Sequence, residues 1–310
     1  MKKKDMIIAL LITIVWGANF TVIKLGLDGV PSMLLVALRY FLTAFPAVFF
    51  IKRPNIEWKY IIFYGLAAGV AQFGTLFYAM EVGMLPGLAS IIVQMQAFIS
   101  PFLAWLILKE KLRIEQIIGF IVASAGLFII GMASISNEVS RIPIGAFLLS
   151  MCAPIFWAIS NIIVGFISKR AIANEEELDM LSLIIWSGLI PPIPLLIFAL
   201  MLDTPQTLID VMTNINGMSI FAVLYLAFGS TLFGYGMWSR LIAKYSVAKI
   251  APVSLLVPIT GLLTARIVLS EQLSTMQWAG TIVILIGLIV TNLDMKMLRN
   301  FVKGYDKGEM

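Results

Sequence analysis

The sequence predicts an all-α, polytopic membrane protein in which ten transmembrane helices form two inverted five-helix repeats. Three observations carry that expectation. Of 310 residues, 60% are hydrophobic and 13% charged, where soluble domains average roughly 45–50% and 25%. Lys and Arg collect on alternate connections between apolar runs, and a seven-position pattern recurs 161 residues further along the chain. A helical span takes about 20 apolar residues, so ten spans leave only short connections and no room for a separate soluble domain.

The runs lie at about 6–26, 33–51, 60–80, 86–108, 114–132, 143–165, 181–202, 218–240, 247–269 and 275–294, each bounded by charge or turn residues. The first follows Lys2, Lys3 and Lys4 like a signal peptide, but it is too long, contains Trp16 and Asn19 and lacks a small-residue cleavage site. It reads as a retained helix, with Trp16, Asn19, Phe20, Ile23 and Lys24 on one face. The second run holds Arg39 six residues in. That arginine can reach the outer surface or hold an anion, for which a substrate carboxylate would be suitable, but a fixed structural pair with a helix-end carbonyl or an acid is the favoured reading. In the third, Gly65, Gly69, Gln72 and Thr75 share a stripe, the glycines allowing close helix approach and Gln72 offering an amide. The fourth carries Gln94 and Gln96, two apart and so on different faces, with one expected to see a cavity; Pro101 then removes a backbone bond and can kink the helix. The sixth pairs Trp157 with Asn161. The eighth aligns Thr231, Tyr235 and Trp238, and the ninth aligns Ser254, Pro258 and Gly261.

Eighteen of the 22 Lys and Arg fall on one set of connections: Lys2–Lys4, Lys52, Arg53, Lys59, Lys109, Lys111, Arg113, Lys169, Arg170, Arg240, Lys244, Lys249, Lys296, Arg299, Lys303 and Lys307. Arg141 alone lies on the other set. Cytoplasmic loops carry such an excess, so both termini are expected in the cytoplasm, with 133–142 and 203–217 outside. The same split rejects a nucleic-acid partner as the cause of the basic balance.

The repeat is Glu110-Lys-Leu112-x3-Gln116-x2-Gly119-x6-Gly126-Leu127, which returns as Glu271-Gln-Leu273-x3-Gln277-x2-Gly280-x6-Gly287-Leu288. Trp16 likewise finds Trp157, with Asn19 near Asn161. Five spans per copy turn the second copy upside down, as in many secondary transporters. The units are then 5–132 and 143–294, followed by a cytoplasmic tail at 295–310. Glu110 and Glu271 fall at opposite membrane edges, where capping or ion pairing is the expected role.

Absences narrow the function. The chain has no histidine and a single cysteine, Cys152, which removes His-based catalysis, an internal disulfide and the usual metal sites, so no metal or cofactor is expected. No P-loop is present to drive transport with ATP, and no Asp-rich diphosphate motif suggests a prenyl transferase. The expected class is a transporter rather than an enzyme, with a multidrug or nucleobase carrier, a membrane scaffold and a lipid scramblase as the alternatives. Its partners are then a small-molecule solute and membrane lipid.

Trp16-Gly17-Ala18-Asn19-Phe20, Leu38-Arg39-Tyr40, Gly87-Leu88-Ala89-Ser90 with Gln94, and Ala251-Pro252-Val253-Ser254-Leu255-Leu256-Val257-Pro258 together resemble the EamA family of the drug/metabolite transporter superfamily. Ile185-Trp186-Ser187 and Tyr235-Gly236-Met237-Trp238 bring the likeness nearest to bacterial exporters of O-acetylserine and cysteine. It spans roughly residues 5–294. The resemblance implies two five-helix repeats in an inner membrane, a central cavity made chiefly by helices 1, 3, 4, 6, 8 and 9, and outward movement of amino-acid metabolites by alternating access. The substrate-binding set is then Trp16, Asn19, Gln72, Gln94, Trp157, Asn161, Tyr235, Trp238 and Ser254, with Arg39, Pro101, Glu110, Pro258 and Glu271 structural or gating. Neutral amides at Asn19, Gln72 and Gln94 would meet the two ends of a zwitterion without placing a permanent charge in the site.

Overall fold

The computed structural model describes residues 1–136, 142–174, 178–245 and 250–292. Expectations for Arg141, for Lys249 and for the 295–310 tail lie outside the described residues, as do those for 137–141 of the 133–142 connection. The described residues form α1 (Lys3–Leu27), α2 (Ser32–Ala44), α3 (Trp58–Glu81), α4 (Pro86–Leu108), α5 (Ile114–Ser136), α6 (Ile144–Ala173), α7 (Met180–Ser187), α8 (Pro192–Leu202), α9 (Pro205–Thr213), α10 (Gly217–Ile242, continuing to Tyr245), α11 (Leu256–Leu269) and α12 (Thr275–Asn292). Large apolar side chains such as Ile7, Phe50, Ile121, Phe128, Met201 and Ile267 are exposed around the bundle. In water such a surface would drive association; against lipid it is the expected exterior. The chain is a polytopic membrane protein.

Eight of these helices are long and apolar enough to cross a membrane, α2 only when followed on through Phe49. The two remaining predicted runs differ from uniform spans. Run 181–202 is broken into α7 and α8, which meet at 43°, because Gly188 is followed by Pro191 and Pro192, neither of which can donate a helical hydrogen bond. Run 247–269 contributes only the apolar stretch Val253–Leu269, about 25 Å at 1.5 Å per residue. It opens with a 3₁₀ turn at Ala251–Leu255, where Pro252 lacks an N–H, and Pro258 lacks another in the first turn of α11.

Both halves carry the same irregularities at nearly constant spacing. A nine-residue π-helical stretch interrupts α3 at Gly65–Phe73 and α10 at Tyr225–Phe233. A 3₁₀ turn breaks α4 at Val93–Met95, and its counterpart is the one preceding α11. Lys109 and Ser270 end their helices in the left-handed conformation, at φ 58° and 55°, and the following Glu110 and Glu271 amides donate to Ala104 and Ala265 at 3.3 Å each. The repeated glutamines are helix caps. Gln116 Oε1 accepts from Arg113 N, and Gln277 Oε1 from Ser274 N, both at 2.9 Å, the reach-back of a capping box.

The closest helix pair is α5 against α12. A methyl group on Gly126 would meet the Gly280 carbonyl at 2.6 Å, and one on Gly280 would meet that of Gly126 at 2.6 Å; Gly119 and Gly287 oppose each other in the same way at 2.8 Å. Only glycine permits this approach, the small-residue packing that holds helices together in lipid. A second close crossing joins α1 to α11, where Thr260 Oγ1 fills the space beside Gly17 and donates to Thr13 O at 2.9 Å.

The described ion pairs collect at the end that carries the N-terminus. Lys244 Nζ reaches Asp5 at 2.7 Å, Lys169 reaches Glu110 at 2.8 Å, and Arg170 and Lys59 share Glu57. At the opposite end, carboxylates cap helix N-termini. Glu81 accepts from Ser32 N and Oγ at 3.0 and 2.6 Å, and Glu271 accepts from Gly87 N at 3.0 Å. Desolvation pushes the Glu271 carboxyl above the usual range despite that bond, whereas Lys59, with Arg170 beside it, holds the exposed Glu57 below it.

Candidate functional site

A cavity of about 270 Å³ lies between α1, α2, α3, α4, α6, α10 and the start of α11. α1 contributes Trp16, Asn19 and Phe20; α3 contributes Gln72, Phe73 and Leu76; α4 contributes Val93, Gln94 and Gln96. Trp157 comes from α6, Ser230, Tyr235 and Trp238 from α10, and Ser254 and Val257 from the α11 segment. Its aromatic corner is packed: Trp16 lies 5.3 Å from the Tyr235 ring and 5.1 Å from that of Trp238. The Trp16 indole N–H donates to Ser230 O at 3.0 Å, so its polar tip is spent on α10. Asn19 is 5% exposed, and its Oδ1 has no hydrogen-bond partner.

Arg39 brings to the cavity wall the permanent charge that the sequence reading kept out of the site. It is 2% exposed, lines the cavity and forms no ion pair with a described acid. Thr231 positions it. The single Thr231 hydroxyl hydrogen goes to Leu226 O at 2.8 Å, five residues back in the π stretch, which leaves its lone pairs to accept from Arg39 Nε at 3.3 Å and Nη2 at 3.1 Å. The guanidinium lies over Phe73, 4.1 Å from the ring centre. Nη1 has no partner. Arg266, near the end of α11, is exposed and donates to Glu271 O at 3.2 Å.

A model of the "EamA-like transporter family" matches residues 3–132 and again 144–293. The chain belongs to the EamA family. Within it, a Salmonella typhimurium protein named "Probable amino-acid metabolite efflux pump" is 38% identical over 299 residues, covering 96% of this chain and 98% of that protein. An Escherichia coli protein of the same name is 38% identical over 290 residues, with 94% and 95% covered. A solved crystal structure at 12% identity superposes with a TM-score of 0.58 over 94% of this EamA chain and 96% of that one, a likeness of fold.

The remaining predicted site residues of this EamA transporter sit away from the cavity. Asn161 ties α6 to α4, donating to Gln96 Oε1 and Ser100 Oγ at 3.0 Å each. Pro101 lies in the helical part of α4, after the 3₁₀ turn. Pro258 is buried, and its carbonyl accepts from Ser90 Oγ at 3.4 Å. Glu110 and Glu271 take the pairing and capping positions described above. Both Gln94 and Gln96 reach the cavity, because the 3₁₀ turn at Val93–Met95 rephases the helix between them. Phe20 and Phe73, which no sequence stripe assigned to a binding role, complete the apolar wall.

Proposed function

We propose that the protein exports small amino-acid metabolites of the O-acetylserine and cysteine kind across a bacterial inner membrane, by alternating access between two inverted five-helix repeats. The observation that carries this reading is the cavity. It draws its walls from both halves of the chain and combines buried amides with an aromatic corner. Its 270 Å³ lies below the roughly 300–1,000 Å³ of sites for drug-sized ligands, which favours a metabolite over a multidrug cargo. The names of the two 38% identical relatives agree.

The matching π stretches, 3₁₀ turns and left-handed caps support an internal repeat. The α5–α12 contact supports its inversion, because Gly126 meets Gly280, the counterpart of Gly119, while Gly119 meets Gly287, the counterpart of Gly126, so that equivalent helices run antiparallel. With the positive-inside rule the ion-paired end is cytoplasmic. Opening toward that side separates Asp5 from Lys244 and Tyr245; opening outward releases Glu271 from Gly87. Purified protein in vesicles, tested for loss of labelled amino acids, checks the reading. Accelerated loss of cysteine or O-acetylserine is expected, and a scaffold or scramblase would release no solute.

A further inference from the structure

We propose that Arg39 is the anchor for a solute carboxylate, bound through Nη1, while Asn19 Oδ1 accepts the solute's ammonium group. The cavity thereby selects solutes that carry a free carboxylate. This rests on the export reading for its solute class and adds the requirement for negative charge.

A guanidinium held away from water and without a counter-anion is strongly disfavoured. A desolvated cation–π contact offsets part of that cost, and Phe73 at 4.1 Å supplies one. Thr231 offers only the lone pairs of a neutral hydroxyl. The arginine is therefore oriented but not neutralised. Its Nη1 group is buried without a partner, as is Asn19 Oδ1, and both residues line the same cavity. An orphaned cationic donor and an orphaned acceptor complement the two ends of an α-amino acid, and Trp16, Tyr235 and Trp238 beside Asn19 add ring faces that attract an ammonium group. A nucleobase or an uncharged drug leaves the guanidinium uncompensated. The placement also separates roles: Thr231 fixes the direction of the fork and is a positioning residue, while Arg39 is the group that touches solute.

The test uses full-length protein in vesicles and three related thiols: L-cysteine, 3-mercaptopropionate, which lacks the ammonium group, and cysteamine, which lacks the carboxylate. Against labelled cysteine, 3-mercaptopropionate should compete at least tenfold better than cysteamine in the unmodified protein. Arg39→Gln should weaken apparent affinity for cysteine roughly 10- to 150-fold, the range for a lost hydrogen bond to a charged group, and erase the discrimination. Thr231→Val should shift it the same way by less, with Thr231→Ser retaining it. Equal competition by both analogues in the unmodified protein overturns the proposal without any variant, and so does discrimination that survives Arg39→Gln. Thermal stabilisation of the purified protein separates the two claims. If no cysteine moves, yet 3-mercaptopropionate stabilises the unmodified protein and not Arg39→Gln or Thr231→Val, the anchor stands and the export reading fails. If neither analogue stabilises it, the anchor fails as well.

Discussion

Asn19 and Asn161 were matched by the repeat, yet they answer to different physics. Asn19 lines the cavity with its Oδ1 buried and unpartnered, whereas the Asn161 amide is spent on Gln96 and Ser100. Asn19→Ala should therefore weaken solute affinity by roughly 5- to 150-fold while leaving the melting temperature nearly unchanged. Asn161→Ala should do the reverse, costing about 0.6–2 kcal/mol of stability; paired measurements of apparent KM and thermal unfolding distinguish them. Type and spacing marked both asparagines as polar groups at depth, but which neighbour each one meets depends on helix rotation, which periodicity alone leaves free. Arg39 shows the same limit. Its depth was legible, but its company of Phe73 and Thr231 arises from a π stretch that no local sequence pattern announced.

At the level of elements, most helices were readable because each run is long, apolar and bounded by charge or turn residues, and α4 begins and ends where its run does. The failures have local causes in proline: Pro191 and Pro192 break 181–202, and Pro252 and Pro258 accompany the 3₁₀ turn of 247–269. The glycines of the repeated motif proved to be contact points between α5 and α12. Gly126→Leu should consequently lower stability by at least the roughly 1–3 kcal/mol of an overpacked core, since backbone occupies the space. Normal unfolding and yield would mean that the pair is not closely packed. The Glu271 cap makes a pH-dependent prediction of definite sign. Its folded-state carboxyl titrates above the ordinary value of 4.5, so its stabilising contribution is full below that value and is lost as pH rises through the raised one. The melting temperature relative to Glu271→Gln should fall across that window; a difference that rises with pH would show the carboxylate to be the favoured form.

For the whole molecule, membrane character followed from composition, and the repeated motif foreshadowed the matching helix irregularities. Orientation rests on the cation distribution, so a cysteine placed at Asn174 should resist an impermeant reagent in intact cells, while one at Gln206, exposed on α9, should react, both in a Cys152→Ser background. Reaction at Asn174 alone would reverse the proposed topology. The claim that a small amino-acid metabolite crosses by binding in a cavity shared between two halves is tested most directly by counterflow. Vesicles containing the protein are loaded with unlabelled cysteine and diluted into labelled cysteine. A carrier with one alternately exposed site should give a transient overshoot of internal label, diminished by Asn19→Ala. Label that rises no faster than in protein-free vesicles would contradict the account.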